Sequence, residues 1–237
     1  MHHKLPRLYV NMPLQSKADI VLEAAQSHYL RAVMRLAGGA PIRLFNGRDG
    51  EFLANLEEIG KRGAGARVGA CIRPQSQLLR RVHLIFAPIK KARLDILIEK
   101  AVELGATDLH PVMTARTENR KANPDKLELQ MIEALEQCER LHKPALHAAQ
   151  TLPALLKNWK DSPIMACVER AEAAPLAKAL PQGDIALLIG PEGGFTPDEI
   201  AAISASPACT PVSLGEAVLR AETAALCGLS IIGAQPE

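Results

Sequence analysis

Two short glycine-containing segments near the end of the chain carry the residues best suited to hold a ligand. The first, residues 189–195, has the sequence IGPEGGF and closes the wholly apolar run 185–189. Such a run predicts a strand buried on both faces of a parallel sheet. Ligands bind beyond the carboxyl ends of such strands, and glycines let the backbone approach them closely. Backbone groups of this segment can therefore read the edge of an adenine, and a tight strand-to-helix turn is the alternative that this segment alone favours.

The glycine spacing of this first segment excludes two common nucleotide sites. It is not a GxGxxG pattern, which excludes the dinucleotide fingerprint. No Gly-Lys-Ser or Gly-Lys-Thr follows it, which excludes a phosphate-binding P-loop.

A second segment, residues 214–226, has the sequence LGEAVLRAETAAL and repeats the arrangement. A short strand predicted at 211–214 meets Gly215, and a helix predicted at 220–233 begins with Arg220, Glu222 and Thr223. Residues 224–234 carry no charge. A helix that is apolar all round is either buried or in an interface. We therefore expect a core helix or a dimer interface here.

The elements that must position these segments alternate from residue 82 onward. Apolar runs predict strands at 82–86, 109–113, 164–168, 185–189 and 211–214. Apolar spacing and cap signals predict helices at 93–104, from Asn123-Pro124-Asp125, from Thr196 with its Glu199 capping box, and at 220–233. This alternation predicts an α/β domain with a largely parallel sheet at residues 82–237.

Residues 1–73 predict a module of a different kind. Short apolar runs separated by the turn pairs Asn46-Gly47 and Asp49-Gly50 predict a compact β-barrel-like domain. One helix is expected near residues 27–36, with Ser27 as its cap. Its apolar face would hold Leu30, Val33 and Met34, and Arg31 and Arg35 would point outward. Residues 74–81 are polar and begin with proline, so they are interpreted as a linker.

Charge and composition limit the function classes. Residues 1–76 hold 11 Lys and Arg and 6 Asp and Glu, whereas the remainder holds 17 and 20. The basic N-terminal part indicates a module that faces a polyanion, with chance asymmetry as the alternative. Aromatic residues are only 3% of the chain. That scarcity argues against recognition of many stacked bases.

Cysteine spacing and hydropathy indicate the cellular compartment of the protein. The five cysteines are widely spaced without a CxxC pair. They predict no zinc site and no disulfide framework, and a reducing compartment is the default. The N-terminus has no signal-peptide pattern, and no apolar stretch reaches 18 residues. We expect a cytoplasmic protein without a membrane span.

Together the two segments resemble the signature of SPOUT-class methyltransferases, Gly-Pro-Glu-Gly-Gly followed by Leu-Gly and then Leu-Arg-x-Glu-Thr-Ala. Within that class the chain resembles the ribosomal RNA small subunit methyltransferase E family. Shorter similarities, such as His28-Tyr29-Leu30-Arg31 and the KAVELG stretch at residues 100–105, extend the resemblance over nearly the whole chain. The chain departs from the family pattern at Glu216, Ala217 and Ala221.

The resemblance implies a fold and a reaction. The fold would combine an N-terminal PUA-like β-barrel with a C-terminal domain that contains a deep trefoil knot, and the protein would form a homodimer through that domain. The reaction would use S-adenosylmethionine to methylate N3 of one uridine in 16S rRNA, either free or in the small ribosomal subunit. A SPOUT enzyme for another RNA or atom, and a non-catalytic RNA-binding assembly factor, remain alternatives.

The resemblance also assigns candidate site residues. Arg220 is the candidate that stabilises the uridine anion, because a guanidinium can donate two hydrogen bonds to a charged oxygen; an ion pair with Glu222 or Glu192 is its alternative. Glu192 is the second catalytic candidate, or else it orients the loop. The expected cofactor contacts are Leu188, Ile189, Gly190, Pro191, Gly193, Gly194, Leu214, Gly215, Val218, Leu219, Thr223 and Ala224. The expected phosphate contacts are Arg7, Arg31, Arg35, Lys90, Lys91, Arg93 and Arg116. No metal site is expected.

Overall fold

The computed structural model describes residues 2–60, 63–119, 122–169 and 172–235. The chain divides into two compact units. The first comprises residues 1–77 together with 135–143, and the second comprises 78–134 and 144–237. The division falls inside the segment predicted as a linker. Residues 135–143 belong to the first unit, whereas the sequence predicted one continuous second domain at residues 82–237.

The first unit is built on a five-stranded sheet. Its strands are β1 (Arg7–Tyr9), β2 (Asp19–Val21), β3 (Pro41–Phe45), β4 (Glu51–Gly60) and β5 (Gly63–Arg73), in the order β1-β3-β4-β5-β2. β1 pairs with β3 in parallel, and the other pairs are antiparallel. Alternate strand residues such as Ile42, Leu44 and Ala54 are buried in one apolar core. The predicted β-rich module is confirmed. It consists of a mixed parallel and antiparallel sheet with one short helix.

The predicted helix at 27–36 is wrong in its bounds and its buried face. An α-helix, α1 (Ala24–His28), begins after Glu23 and continues into the π-helical turn Tyr29–Val33. Ser27 lies inside α1 and is buried, where its Oγ accepts a hydrogen bond from the Ala64 N–H at 2.9 Å. Val33 is 62% exposed. The tertiary bond to Ala64 outweighs the capping preference of serine, which is a purely local signal.

The prediction that Arg7 contacts RNA is corrected by its burial. The Arg7 side chain is 2% exposed, and its Nε lies 2.7 Å from Glu51 Oε1. Its other nitrogens donate to the carbonyl oxygens of Leu135 and Arg140, and its guanidinium lies 3.5 Å from the Phe45 ring centroid. With its donors directed to these internal acceptors, Arg7 holds residues 135–143 in the first unit and is not a phosphate ligand.

The second unit is built on a seven-stranded sheet in which all pairs are parallel. Its strands are β6 (Val82–Phe86), β7 (Asp108–Met113), β8 (Ala145–Leu146), β9 (Gln150–Thr151), β10 (Ile164–Cys167), β11 (Ile185–Ile189) and β12 (Cys209–Val212). The order is β12-β10-β11-β6-β7-β8, and β9 pairs with β7. The predicted parallel α/β domain is confirmed, although β12 begins earlier than the expected 211.

Six helices accompany this sheet among the described residues: α2 (Lys91–Glu103), α3 (Pro124–Cys138), α4 (Leu152–Asn158), α5 (Leu176–Ala179), α6 (Pro197–Ala205) and α7 (Ala221–Gly233). The last residues of α3 belong to the first unit. α7 packs closely on β11, since a Cβ at Gly228 would lie 2.5 Å from Leu187 Cδ2. None of the described helices is long and apolar enough to cross a membrane.

Candidate active site

The carboxyl ends of β10, β11 and β12 surround a cavity of about 730 Å³. Most of its lining comes from residues 167–169, 189–195 and 212–221, and α7 adds Ala224. Because β12, β10 and β11 are neighbours and parallel, the segments that follow them leave the sheet at one edge. The volume lies in the range of small-molecule sites. The two glycine-containing segments predicted from the sequence therefore form one site.

The first segment, residues 190–195, depends on the missing side chain of Gly190. A Cβ at this position would lie 3.0 Å from the Phe195 ring, which folds back against the backbone. Arg116 braces the same segment, donating to the Gly193 carbonyl at 2.6 Å and to the Phe195 carbonyl at 3.4 Å. These contacts give the first wall of the cavity a fixed shape.

The helix that follows this segment is anchored at its first turn. Thr196 is the N-cap of α6, and its Oγ1 accepts a hydrogen bond from the Glu199 N–H. Glu199 Oε2 accepts from the Thr196 N–H in return, so the predicted capping box is confirmed. The other Glu199 oxygen accepts from the Ala115 N–H at 2.7 Å. Thus one carboxylate joins the start of α6 to the segment after β7.

Glu192 has a clear positional role. It is exposed at the rim of the cavity, and its Oε1 accepts from the Lys90 N–H at 3.3 Å. Lys90 is the N-cap residue of α2. A carboxylate at a helix N-terminus is favoured by the free N–H groups and by the helix dipole. Glu192 therefore joins the glycine loop to the start of α2.

The second segment, residues 213–220, has fewer internal contacts. Gly215 has a φ of 124°, and a Cβ there would meet no atom within 4 Å. The local bonds join Ser213 Oγ to the N–H and the carbonyl of the same glycine. Val218 is 58% exposed although it lines the cavity. This wall thus presents an apolar side chain and open backbone to the cavity.

Arg220 ends this segment as the N-cap residue of α7. It is exposed, lines the cavity, and makes no side-chain hydrogen bond or ion pair with any described residue. Glu222 instead pairs with Arg93, whose Nε lies 3.6 Å from Glu222 Oε1. The structural alternative for Arg220, a pair with Glu222 or Glu192, is therefore not found among these residues.

Most of the expected cofactor positions meet at the cavity. The lining includes Ile189, Gly190, Pro191, Gly193, Gly194, Leu214, Gly215, Val218, Leu219 and Ala224. The Leu188 side chain is fully buried between Ala166 and Ile85 in the sheet and is not part of the lining. Thr223 lies exposed on α7 and outside the lining. Cofactor contact by the Leu188 backbone and by Thr223 therefore stays a prediction.

The expected phosphate contacts are distributed over both units. Arg93 and Arg116 line the cavity in the second unit, and Lys91 is exposed at the start of α2. Lys90 Nζ lies 3.6 Å from Glu118 Oε2, with both side chains at least two-thirds exposed. Such an exposed pair is weak and leaves the ammonium free for a stronger anion. Arg31 and Arg35 are exposed in the first unit.

Sequence reasoning missed the third wall of the cavity. The segment after β10 contributes Val168 and Glu169, and Pro175 and Ile200 complete the lining. The strand at 164–168 was predicted, but the sequence did not show that it pairs with β11. Strand order depends on long-range pairing that local patterns do not contain.

Comparison with known proteins assigns this arrangement to a family. Residues 75–233 match the RNA methyltransferase domain family, and residues 22–68 match the RNA methyltransferase PUA domain family. The ribosomal RNA small subunit methyltransferase E of Rickettsia conorii is 34% identical over 232 residues, covering 96% of this chain and 94% of that protein. The chain belongs to the ribosomal RNA small subunit methyltransferase E family.

Solved structures agree with this methyltransferase E assignment. A putative methyltransferase from Legionella pneumophila, solved with S-adenosylmethionine bound, is 29% identical with a TM-score of 0.89 over 98% of both chains. The methyltransferase E of Neisseria gonorrhoeae, also bound to S-adenosylmethionine, is 26% identical with a TM-score of 0.86 over 96% of both chains. The similarity thus covers both units of the present methyltransferase.

Proposed function

We propose that this protein transfers the methyl group of S-adenosylmethionine to N3 of one uridine in the 16S rRNA of the small ribosomal subunit. The observation that carries the proposal is the cavity at the carboxyl edge of the sheet, where two glycine-containing walls meet Arg220, which has no side-chain partner among the described residues. The names of the relatives from Rickettsia conorii and Neisseria gonorrhoeae support the substrate class. An rRNA substrate also supports a cytoplasmic location.

The cavity suits S-adenosylmethionine by its shape and its chemistry. Because Gly190 and Gly193 lack side chains, the Phe195 ring and the Arg116 side chain pack directly against this backbone, 3.0 Å and 3.3 Å from where a Cβ would lie. Backbone groups there can hydrogen-bond to an adenine, and Val218 and Leu219 offer apolar surface to its ring. The cofactor supplies an electrophilic methyl group. We assign cofactor contact to the lining positions given above, together with the Val168 segment that the sequence did not predict.

Arg220 is our candidate for the residue that acts on the uridine. N3 attacks only after it loses its proton, and the charge then spreads onto the neighbouring carbonyl oxygens. A guanidinium can donate two hydrogen bonds to such an oxygen. Because Arg220 has no partner among the described residues, it needs to break no ion pair to do so. Positioned donors of this kind contribute about 3–4 kcal/mol to a transition state.

We assign Glu192 an orienting role in preference to proton removal. Its bond to the Lys90 N–H joins the first glycine segment to α2, and α2 also carries Arg93. The Arg93–Glu222 pair then joins the start of α2 to the start of α7. These two connections fix the direction in which the helices present Arg220 and Arg93 at the cavity rim.

RNA binding is assigned to the exposed cations of both units. In the second unit these are Lys90, Lys91 and Arg116, together with the half-buried Arg93, and in the first unit they are Arg31 and Arg35. Phosphate contacts bring a linear dependence of log affinity on log salt. The target uridine must leave its stack to present N3, since that atom lies on the base-pairing edge.

We extend the proposal to the finer features of the family. The second unit would contain the trefoil knot of the SPOUT class, the first would be a PUA-like barrel, and two chains would form a dimer through the second unit. α7 supports the dimer because Leu226, Cys227 and Ile231 remain only half-buried on the part of the helix, from residue 224 onward, that carries no charge. Sedimentation analysis is expected to give twice the chain mass of 25.5 kDa, and a monomer at micromolar concentration would contradict the dimer.

The reaction is tested by reverse transcription across 16S rRNA from cells with and without the gene. A methyl group on N3 blocks the pairing edge, so we expect one polymerase stop that disappears in the deletion strain. Return of the stop with the wild-type gene, but not with an Arg220→Ala gene, completes the test. An unchanged stop pattern would contradict the uridine-N3 assignment.

Calorimetry separates the remaining alternatives. We expect the purified protein to bind S-adenosylmethionine with one site per chain. Cofactor binding together with methyl transfer to another RNA would indicate a related SPOUT enzyme. No binding heat, with RNA affinity retained, would indicate a non-catalytic RNA-binding factor.

A further inference from the structure

A cluster of imidazoles lies at the amino-terminal ends of β6 and β7, on the edge of the sheet opposite to the cavity. His83 is the second residue of β6, and Asp108 and His110 are the first and third residues of β7. His83 is in register with Asp108, and alternate residues of a strand share a face, so all three side chains point the same way. His147 follows β8 beside them.

The distances within this histidine cluster are short. His83 Nδ1 lies 3.1 Å from His110 Nε2 and 3.7 Å from Asp108 Oδ2. The His147 ring stacks on that of His110 at 3.9 Å, and its Nε2 lies 2.9 Å from Asp108 Oδ1. His83, Asp108 and His110 are each at least 95% buried. Three candidate ligand atoms therefore meet in one buried position.

The donor types of the cluster suit a cation. Two imidazole nitrogens and a carboxylate are the donors that zinc takes in proteins.

The spacing of these donors also fits one ion. Nitrogen ligands bind Zn²⁺ at about 2.0–2.1 Å, so two ligands of one tetrahedral ion lie roughly 3–4 Å apart. The pairs at 3.1 and 3.7 Å are within this spread. The hydrogen bond between His83 and His110 would be exchanged for two bonds to the ion, and the proton between the rings would move to an outer ring nitrogen or to solvent.

One further observation concerns the hydrogen-bond network of the cluster. His83 Nε2 is buried without a hydrogen-bond partner among the described residues, so the described groups do not complete the network around this ring.

The surroundings of the cluster supply support and access. Thr107 Oγ1 donates to Asp108 Oδ2 at 2.8 Å, and Arg81 donates to both oxygens of the same carboxylate, with its longer bond at 3.2 Å. Hydrogen-bonded carboxylates of this kind are usual around metal ligands. Trp159 covers the face of the cluster, with its ring centroid 5.3 Å from that of His83. The His147 side chain is 39% exposed and marks the entry side.

We propose that His83, Asp108 and His110 form a binding site for a borderline divalent transition metal, with Zn²⁺ as the representative ion. His147 completes the set from the solvent side when it releases Asp108. Imidazole nitrogen and carboxylate oxygen select such ions over Mg²⁺ and Ca²⁺, which prefer all-oxygen sites. The ion would tie β6, β7 and β8 together at the edge remote from methyl transfer, so its role would be structural.

The test is a metal titration of the full chain in a His2→Ala, His3→Ala background. These terminal histidines are exposed and adjacent, and would bind metal on their own. After chelator treatment and dialysis, ZnCl₂ is titrated against a chromophoric chelator. We expect one equivalent of Zn²⁺ per chain, and affinity at least 100-fold weaker in His110→Gln. His28→Gln, which changes an exposed histidine of the other unit, is the matched control and is expected to bind as tightly as the parent.

Cobalt gives a readout that needs no variant. Co²⁺ bound by two imidazoles and a carboxylate in tetrahedral geometry produces visible absorption, which added Zn²⁺ should abolish. S-adenosylmethionine calorimetry shows whether His110→Gln is folded, and if it is not, the cobalt spectrum of the parent decides. The proposal is overturned by a parent protein that binds no metal or gives no such spectrum, or by a folded His110→Gln that binds as tightly as the parent.

Discussion

The two glycine-containing walls of the cavity are built in different ways. Residues 190–195 are braced by Arg116, by the Phe195 ring and by the capping box of α6. Residues 213–220 have mainly the local Ser213 bonds, and α7 starts without a side-chain cap. The braced wall is preformed for a ligand of fixed shape. In the open wall, Arg220 has no side-chain partner within the part of the chain that the structure describes, which suits a residue that must meet a second substrate.

The glycines of the two walls show the same contrast. Gly190 is needed for space, because a Cβ there would lie only 3.0 Å from the Phe195 ring. Gly215 is needed for its backbone, because its φ of 124° is one that L side chains rarely adopt, while the space around it is free. Substitution tests can therefore separate a packing requirement from a conformational requirement.

The largest effect is expected for Arg220→Ala in the open wall. Removal of a positioned donor should lower kcat by about 100- to 1000-fold. The affinity for S-adenosylmethionine should change little, since the braced wall is untouched. Single-turnover methylation of 16S rRNA and cofactor calorimetry measure the two quantities. Arg220→Lys is the matched control. Its kcat should lie between those of the wild type and Arg220→Ala, because an ammonium keeps the charge but lacks the two-pronged geometry. Equal losses of kcat and cofactor affinity would contradict this division between the walls.

Gly215→Ala is expected to weaken cofactor binding through the backbone. An alanine held in such a conformation costs about 1–3 kcal/mol, which corresponds to roughly 5- to 150-fold in affinity. A second substitution at a neighbouring residue cannot relieve this strain, since no atom lies within 4 Å of the added Cβ. Calorimetry with S-adenosylmethionine measures the loss. Wild-type affinity in this variant would show that the wall does not need its present backbone conformation.

Gly190→Ala is expected to cost about tenfold in cofactor affinity, close to 1.4 kcal/mol. The added methyl group would lie 3.0 Å from the Phe195 ring, and overpacking of this kind costs about 1–3 kcal/mol. Unlike Gly215→Ala, this loss should be partly recovered by a second change, Phe195→Leu. Gly233→Ala is the control, because its nearest atom lies 3.8 Å from the new Cβ. A double variant no better than the single one would argue against a packing cause.

The braced wall was also the part most accessible from the sequence. The apolar strand Ile185–Ile189, the capping box at Thr196 and the glycines between them are local signals, and all three fall where they were predicted. Arg7 and Ser27 were misread because their partners, Glu51 and Ala64, are distant in the chain. Burial of a charge or of a hydroxyl group is decided by such long-range contacts, which periodicity does not report.

Long-range strand pairing also explains why the sequence did not predict two groups of residues. Val168 and Glu169 join the cavity only because β10 lies beside β11 and β12. His83 and His110 meet only because β6 and β7 pair in a particular register. Neither grouping has a short spacing in the sequence, so composition and motif could not reveal it. The short elements β8, β9 and α5 have too few residues to show a period.

The smallest effect is expected for Thr196→Ala, which removes the cap from the braced wall. Loss of an N-cap hydroxyl should lower the free energy of unfolding by about 1 kcal/mol. Thr223→Ala is the matched control on α7, where the threonine is exposed and is not the N-cap residue, and it should stay within about 0.5 kcal/mol of the parent. Urea denaturation measures both. Because Arg116 and Phe195 still brace the loop in Thr196→Ala, cofactor affinity should remain within about twofold, which is under 0.5 kcal/mol. A larger loss of affinity would mean that the first wall takes its shape from the helix start, and not from the contacts of the loop itself.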